Sequence, residues 1–436
     1  MRSIITTRDM VKTDYPSDFP TVLRVQQDNE FGMTVERESS GTDSHTTWQR
    51  FSVDFAYPVI FTNGLFQSTN PMLRDTLSRP EPAKRHRMVV FVDTGVADTF
   101  PTLAADIARY AEAYADQLQL LLDPVLMPAG ETIKSELHHI EVMQKILSDQ
   151  HVDRHSYVLG IGGGALLDAV GLVAATSHRG IRHVRIPTTV LSQNDSGVGV
   201  KNSINLFGQK NYVGTFAPPF AVLNDYKFIE HLPVRDKIAG MAEAVKVALI
   251  RDATFYAWLE DHADDLAHFK PAAMTYMIRR CAELHMHQIA HGGDPFERGS
   301  ARPLDFGHWS AHRLETLTRY HLRHGEAVAI GIALDARYSV LGGLLEAGAE
   351  LRICSLLEHL GFKLWHPALE DRNTEGEVEL LQGLIDFREH LGGELTITLL
   401  AGLGQGVEVH EVDAKVVMQS VGWLKQRAQQ CEDRSR

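Results

Sequence analysis

Three short stretches carry residue types whose spacing could do chemistry. Residues 307–312 (GHWSAH) put His308 and His312 at i and i+4, on one face of a helix. His324 follows in RHGEAV (323–328), at an expected helix start, and GMAEAVK (240–246) places Glu243 and Lys246 on one face of another helix. One carboxylate with two imidazoles suits a zinc ion that keeps a coordination position open, which is the catalytic arrangement. A chain with 22 histidines yields such a pair readily by chance, and His285, His287 and His291 (HMHQIAH) form a rival cluster. Spacing alone leaves both open.

Two further stretches suit an anion. In GIGGGALLD (160–168) an apolar run ends in glycines and passes into helical periodicity. Such a turn lets backbone N–H groups approach a pyrophosphate at a helix N-terminus. The competing reading is a tight strand–helix turn with no ligand, and the GxGxxG dinucleotide fingerprint is not met. Asp93 ends an earlier apolar run, where it would hold a ribose hydroxyl or merely cap a helix. Residues 186–211 (IPTTVLSQNDSGVGVKNSINLFGQKN) are dense in polar groups. Lys201 and Lys210 alternate there with Gly and small residues, as in a backbone-lined phosphate pocket; the alternative is a solvated hairpin.

The elements that must position these groups follow from periodicity. Alternation at Phe51, Val53 and Phe55 predicts a half-buried strand. Continuous apolar runs at 87–93, 157–162 and 184–189 predict parallel strands buried on both faces, and 102–122 reads as a helix. After Asp225 long amphipathic stretches dominate (234–266, 271–291, 307–320, 325–348, 350–360, 375–391), with one late strand at 395–400. The expected organisation is a polar arm (1–48), an α/β domain (49–225), a helical domain (226–425) and a tail (426–436).

Composition bounds the function. The 436 residues hold 43 Lys+Arg against 56 Asp+Glu, a net charge of −13, so nucleic acid and anionic membranes are not expected partners. At 44% hydrophobic residues the chain can bury large cores. Cys281, Cys354 and Cys431 form no CxxC, no apolar stretch is long enough to span a membrane, and the first residues do not read as a signal peptide. A reducing, cytoplasmic setting is expected.

Together, GGGxxxD, IPTT, DSGVGxK, GxKN, AExxK, GHxxxH and HGEAV, in this order over about residues 85–400, make the chain resemble the dehydroquinate-synthase-like sugar phosphate cyclases. Metal-dependent glycerol and alcohol dehydrogenases share that superfold but lack the lysine-rich series. The resemblance implies an α/β N-terminal Rossmann-like domain followed by an all-α C-terminal domain. It implies NAD contacts at Asp93, Glu131, Lys134, Gly163, Gly164, Asp168, Thr188, Thr189 and Phe228. It implies metal ligation by Glu243, His308 and His324, with zinc, or cobalt, as the ion. Substrate-pocket matches are Asp195, Lys201, Lys210, Asn211, Lys246, Glu297 and His312. Arg179 matches an arginine that reaches the neighbouring subunit's phosphate site, which implies a homodimer.

The departures from dehydroquinate synthase concern the substrate carboxylate. His287 stands for a lysine, Ala301 (beside Arg302) for an arginine, and Asp305 for an asparagine. A less cationic pocket implies a ketose phosphate without a carboxylate, because a buried unpaired anion is costly. The segment FREHLGG (387–393) is similar to the valiolone-synthase-like branch, and DSGVGVKNSIN and FGQKNYVGTFAPPF to the proteins of ebo-type gene clusters. The expected reaction is redox-neutral closure of a C7 ketose phosphate to a carbocycle with loss of phosphate. An authentic 3-dehydroquinate synthase, a polyol dehydrogenase and a non-catalytic relative are the alternatives.

Overall fold

A computed structural model describes residues 34–39, 45–298, 303–390 and 393–435. The chain divides into two units, Met1–Ala56 and Tyr57–Arg436. In the first, β1 (Thr34–Ser39) and β2 (His45–Arg50) pair as an antiparallel hairpin; the rest of the expected arm lies outside the described residues. The strand expected through Phe51, Val53 and Phe55 does not form, and all three side chains are exposed. Alternation makes a strand only where a neighbouring strand takes its backbone hydrogen bonds.

In the second unit a seven-stranded sheet is built from β3 (Val59–Thr62), β4 (His86–Asp93), β5 (Leu118–Leu120), β6 (Val125–Met127), β7 (Tyr157–Gly162), β8 (Arg182–Pro187) and β11 (Ala221–Asp225). The order is β3-β11-β8-β7-β4-β5, with β6 also on β4, and every pair is parallel. β4 shows why the apolar runs are continuous. Met88, Val90 and Val92 pack on one face against α1 (Met72–Ser78) and α3 (Leu103–Ala113). Val89 and Phe91 pack on the other against α5 (Leu137–Asp149) and α6 (Gly164–Thr176). Each such side chain contributes roughly 1.5–3 kcal/mol of burial. The helix expected over 102–122 ends at Ala113, and β5 follows as a short edge strand. The short helices α2 (Thr94–Thr99) and α4 (Thr132–Ser135) complete this half.

The chain leaves the sheet at Asp225, and both halves belong to the same unit. The second half holds α7 (Lys227–Glu230), α8 (Val234–Ala239), α9 (Met241–Arg251), α10 (Ala253–Asp261), α11 (Ala263–Ala267) and α12 (Pro271–His291). It continues with α13 (His308–Leu317), α14 (His324–Leu341), α15 (Ala349–His359), α16 (Glu379–His390) and α17 (Ala414–Ser435). It is not all-α. The late strand is β12 (Ile397–Gly402), and it pairs with β13 (Gln405–Val409), whose polar, Gly-containing sequence hides it. The expected tail at 426–436 is helical through Ser435, as part of α17. No helix among the described residues is long and apolar enough to cross a membrane.

Candidate active site

α9, α13 and α14 bring one carboxylate and two imidazoles together. Glu243 and Lys246 are buried, with Lys246 Nζ 2.5 Å from Glu243 Oε2. Nε2 of His308 and Nε2 of His324 each lie 3.7 Å from Glu243 Oε1. The other ring nitrogens are already engaged: His308 Nδ1 donates to the Phe306 carbonyl and His324 Nδ1 to Glu315 Oε2, both at 3.1 Å. Those bonds turn both Nε2 atoms toward one point. Glu243 is fully buried, yet neither oxygen accepts a hydrogen bond of ordinary geometry. A polar atom so placed is costly unless a cation completes it. Ligand atoms of Glu243, His308 and His324 lie within 4.8 Å of one another, so the donor set fits a divalent ion with its outer partners in place. His312 stands beside them, its ring centroid 5.4 Å from His308 and 6.0 Å from His324.

The electrostatics separate the groups. Burial holds the His308 imidazole well below its usual range. Burial would lower His324 too, but Glu315 and Glu243 raise it to about 9. Burial would raise the carboxyls of Glu243 and Glu315, yet Lys246 for the first, and His324 and Lys210 for the second, hold both well below the carboxylate range. Burial would lower the Lys246 ammonium, but Glu243, Asp195 and Asp305 push it up to about 12.

Local sequence explains the convergence. Gly307 has φ +76°, and a Cβ there would lie within 3 Å of the α14 backbone at Gly331 and Ile332. Only glycine permits both that conformation and that approach. Asp335 of α14 accepts from Gly307 N and Trp309 Nε1, both at 3.0 Å, which fixes the start of α13 on either side of His308. After α13, Arg319 and Tyr320 adopt positive φ and reverse the chain toward His324. Glu326 then accepts from Arg323 N at 2.9 Å and caps α14.

The sheet supplies the rest. β4 lies between β7 and β5/β6, so the sheet switches direction between β4 and β7, where open α/β sheets bind ligands. Asp93 ends β4 and caps α2, accepting from Gly95 N at 2.8 Å. Gly163 precedes α6, and Gly164 begins it so close to Ser196 that a Cβ would meet Oγ at 2.7 Å. Thr188 N donates to Gly162 O at 3.0 Å, and Thr189 closes a turn with Ser192. Phe228 packs edge-on against Phe100 at 5.3 Å, on the wall of a cavity of about 640 Å³.

Residues 186–211 become a π turn (Ser192–Ser196) followed by the hairpin β9 (Lys201–Leu206)–β10 (Gln209–Phe216). Asn194 of the turn donates to Gly240 O at 2.8 Å, tying it to α9. An irregularity in β10 turns Asn211 to positive φ. Its Oδ1 accepts from Lys134 Nζ at 2.6 Å, and the same ammonium donates to Asp168 Oδ2 at 2.6 Å and Ser203 Oγ at 3.1 Å. Asn205 Nδ2 donates to Glu131 Oε2 at 2.9 Å. Lys134 thus braces the hairpin on α6 from a buried position. Lys210 Nζ donates to Glu315 Oε1 at 2.8 Å, and Lys201 Nζ pairs with Glu297 Oε1 at 2.6 Å.

Some expected residues are placed otherwise. His287 is exposed and stacks on His291 at 4.6 Å. His285 is the buried member of that cluster, with Nε2 3.4 Å from Asp195 Oδ1. Two residues along a helix point about 200° apart, so only one of the pair can face inward. Arg179 is exposed beyond the far end of α6, roughly 20 Å along the helix from Gly164, and His178 and Arg179 both have positive φ. Asp305 accepts from His308 N at 3.0 Å through its carbonyl. Ala301 and Arg302 lie outside the described residues. Glu315 and Asp335 were not singled out from sequence; Glu315, seven residues after His308 and three after His312, was detectable by helical spacing.

Comparison with known proteins fits this architecture. The 3-dehydroquinate synthase N-terminal family matches residues 124–239 and its C-terminal counterpart residues 240–382. The 3-dehydroquinate synthase of Dichelobacter nodosus (strain VCS1703A) is 36% identical over 293 residues, 67% of this chain and 77% of that protein. The structure of 2-epi-5-epi-valiolone synthase from Streptomyces hygroscopicus subsp. jinggangensis 5008, with NAD+ and Zn2+ bound, is 28% identical. It covers 87% of this chain and 100% of its own, with a TM-score of 0.77. A 2-deoxy-scyllo-inosose synthase at 21% identity shares the fold, with a TM-score of 0.68 over 89% of this chain and 99% of its own. Sequence and architecture agree that the chain belongs to the 3-dehydroquinate-synthase-like family of sugar phosphate cyclases.

Proposed function

We propose that the chain is an NAD- and zinc-dependent carbon–oxygen lyase that closes a seven-carbon ketose phosphate into a carbocycle with release of phosphate. The observation that carries this reading is the convergence of Glu243, His308 and His324 beside buried Lys246. When bound, the nicotinamide supplies a reversible hydride acceptor and the zinc ion, which cobalt can replace, polarises a hydroxyl oxygen. Glu243, His308 and His324 hold the ion. Lys246 steadies an anionic substrate oxygen, and His312 exchanges a proton with that hydroxyl. Lys201, Lys210 and Asn211 bind the phosphate, with Asp195 and Glu297 orienting hydroxyls. Asp93, Glu131, Asp168, Phe228, the Gly163–Gly164 turn and Thr188–Thr189 hold the dinucleotide, and Lys134 supports it through Asp168. Exposure of Arg179 beyond the end of α6 supports a homodimer in which it serves the partner's site. Buried thiols at Cys281 and Cys354 suit a cytosolic setting.

The pocket is acidic around its lysine: Glu243, Asp195 and Asp305 all act on Lys246. Burial lowers the His285 imidazole and so favours its neutral form. That balance supports a substrate without a carboxylate. The second reading, an authentic 3-dehydroquinate synthase, is favoured by the 36% identical relative. Phosphate release with added NAD+ and Zn2+ separates them. Sedoheptulose 7-phosphate should react without net NADH, and 3-deoxy-arabino-heptulosonate 7-phosphate poorly. Efficient conversion of the latter selects the second reading, and steady NADH growth with a polyol selects a dehydrogenase.

A further inference from the structure

Glu315 is a buried carboxylate that this chemistry does not use. Its side chain is 4% exposed, and each oxygen has its own cationic or polar donor. Oε1 accepts from Lys210 Nζ at 2.8 Å, across 105 residues of sequence, and Oε2 from His324 Nδ1 at 3.1 Å. One donor comes from the hairpin that carries the other site lysine, and the second opens α14 with its Nε2 toward Glu243. Glu315 also groups with His312 and His324 as a set of potential metal ligands. A second cation there would face the Lys210 ammonium already on the same carboxylate, and like charges at that range repel. The geometry therefore favours positioning over ligation.

We propose that Glu315 is a shared positioning residue: one carboxylate sets the ring of His324 for the divalent ion and holds Lys210 for the substrate phosphate. This rests on the reading of His324 as a ligand and Lys210 as a phosphate contact. Donation from Nδ1 to a carboxylate fixes the tautomer and rotation of a ligating imidazole and raises the basicity of Nε2. An ammonium has three N–H donors, so Lys210 can keep Glu315 while another N–H meets a phosphate oxygen. The two halves of the site are then registered by a single side chain.

The test compares Glu315→Gln, Lys210→Met and the double variant as metal-free full-length proteins. Zinc affinity is read by competition with a chromophoric chelator, with circular dichroism and thermal unfolding as fold controls. In E315Q, Lys210 competes for the one amide oxygen and the amide N–H₂ turns to His324, so zinc affinity should fall about 10–100-fold. K210M should stay within about threefold of wild type. In the double variant the amide oxygen is no longer contested and can accept from His324, so zinc affinity should recover several-fold over E315Q. The double variant also lacks the half-buried ammonium that faces an uncharged amide in E315Q, which keeps the test readable if the single variant folds poorly. An E315Q protein within threefold of wild type, or a double variant no better than E315Q, overturns the proposal. Zinc retained by His324→Ala instead sinks the ligand assignment beneath it.

Discussion

Lys246 and Lys201, both proposed as substrate contacts, are held in opposite ways. Lys246 is 3% exposed on α9 and leans on Glu243, whereas Lys201 is 56% exposed at the start of β9 and pairs with Glu297 at the rim. The contrast extends to their surroundings. Around Lys246, α9, α13 and α14 are packed so closely that Gly307 and Gly331 touch backbone to backbone. The hairpin around Lys201 instead exposes Phe207, Tyr212 and Phe216. The helical half has its charges fixed by packing and pairing, which is what stabilising a developing charge requires. The hairpin half holds its lysine by a solvent-screened pair worth about 0–1 kcal/mol, so in the proposed function that charge is the one free to re-aim at an incoming phosphate.

The hardest blow to this contrast comes from His308→Ala. It removes one of the imidazoles that face Glu243, so bound metal and phosphate release should fall together by more than the roughly 10–100-fold of an outer partner. Retention of both would remove the case for a prearranged helical half. Lys246→Met is next: a fully buried carboxylate loses its ammonium, and the metal-free protein should lose about 3–5 kcal/mol in denaturant unfolding. A neutral result would mean that water reaches Glu243.

Asp335 sharpens the comparison through pH. Burial raises its carboxyl to about 7 despite bonds from Trp309 and Gly307. Between an unfolded value near 3.9 and this folded value, the folded state keeps a proton that the unfolded state releases. Stability should therefore fall as pH rises through that window, by on the order of 3 kcal/mol. In Asp335→Asn the slope should flatten; thermal unfolding at pH 4, 5.5 and 7 measures the difference between the two proteins. The smallest stability effect belongs to Lys201→Met, within about 0.5 kcal/mol of wild type, while its KM for the sugar phosphate rises. A stability loss as large as that of Lys246→Met would erase the contrast.

Legibility followed burial and locality. β4 and β7 were visible because strands packed on both faces read as unbroken apolar runs. β13 and the end of α17 were not: Gly406 of β13 lies against Ile250 of α9, and Arg427 of α17 donates to Glu358 of α15, contacts that no local pattern shows. Phe51–Phe55 misled because its alternation pairs with no strand among the described residues. Spacing left Glu243, His308 and His324 level with the His285–His287–His291 cluster until the resemblance separated them, and that His285 rather than His287 faces inward depends on how α12 packs against the π turn, which is not a local property.

By itself the sequence determined the inventory: a Glu–Lys pair and a His–His pair each at helical spacing with a third histidine at a helix start, a glycine turn after a buried strand, and lysines in a polar segment. Tertiary structure decided which of 22 histidines meet, which of their nitrogens face the carboxylate, and that Glu315 joins a hairpin lysine to a helix-capping histidine. The physical reason is that side-chain identity and periodicity are local, whereas desolvation, charge pairing and imidazole orientation depend on groups a hundred residues away.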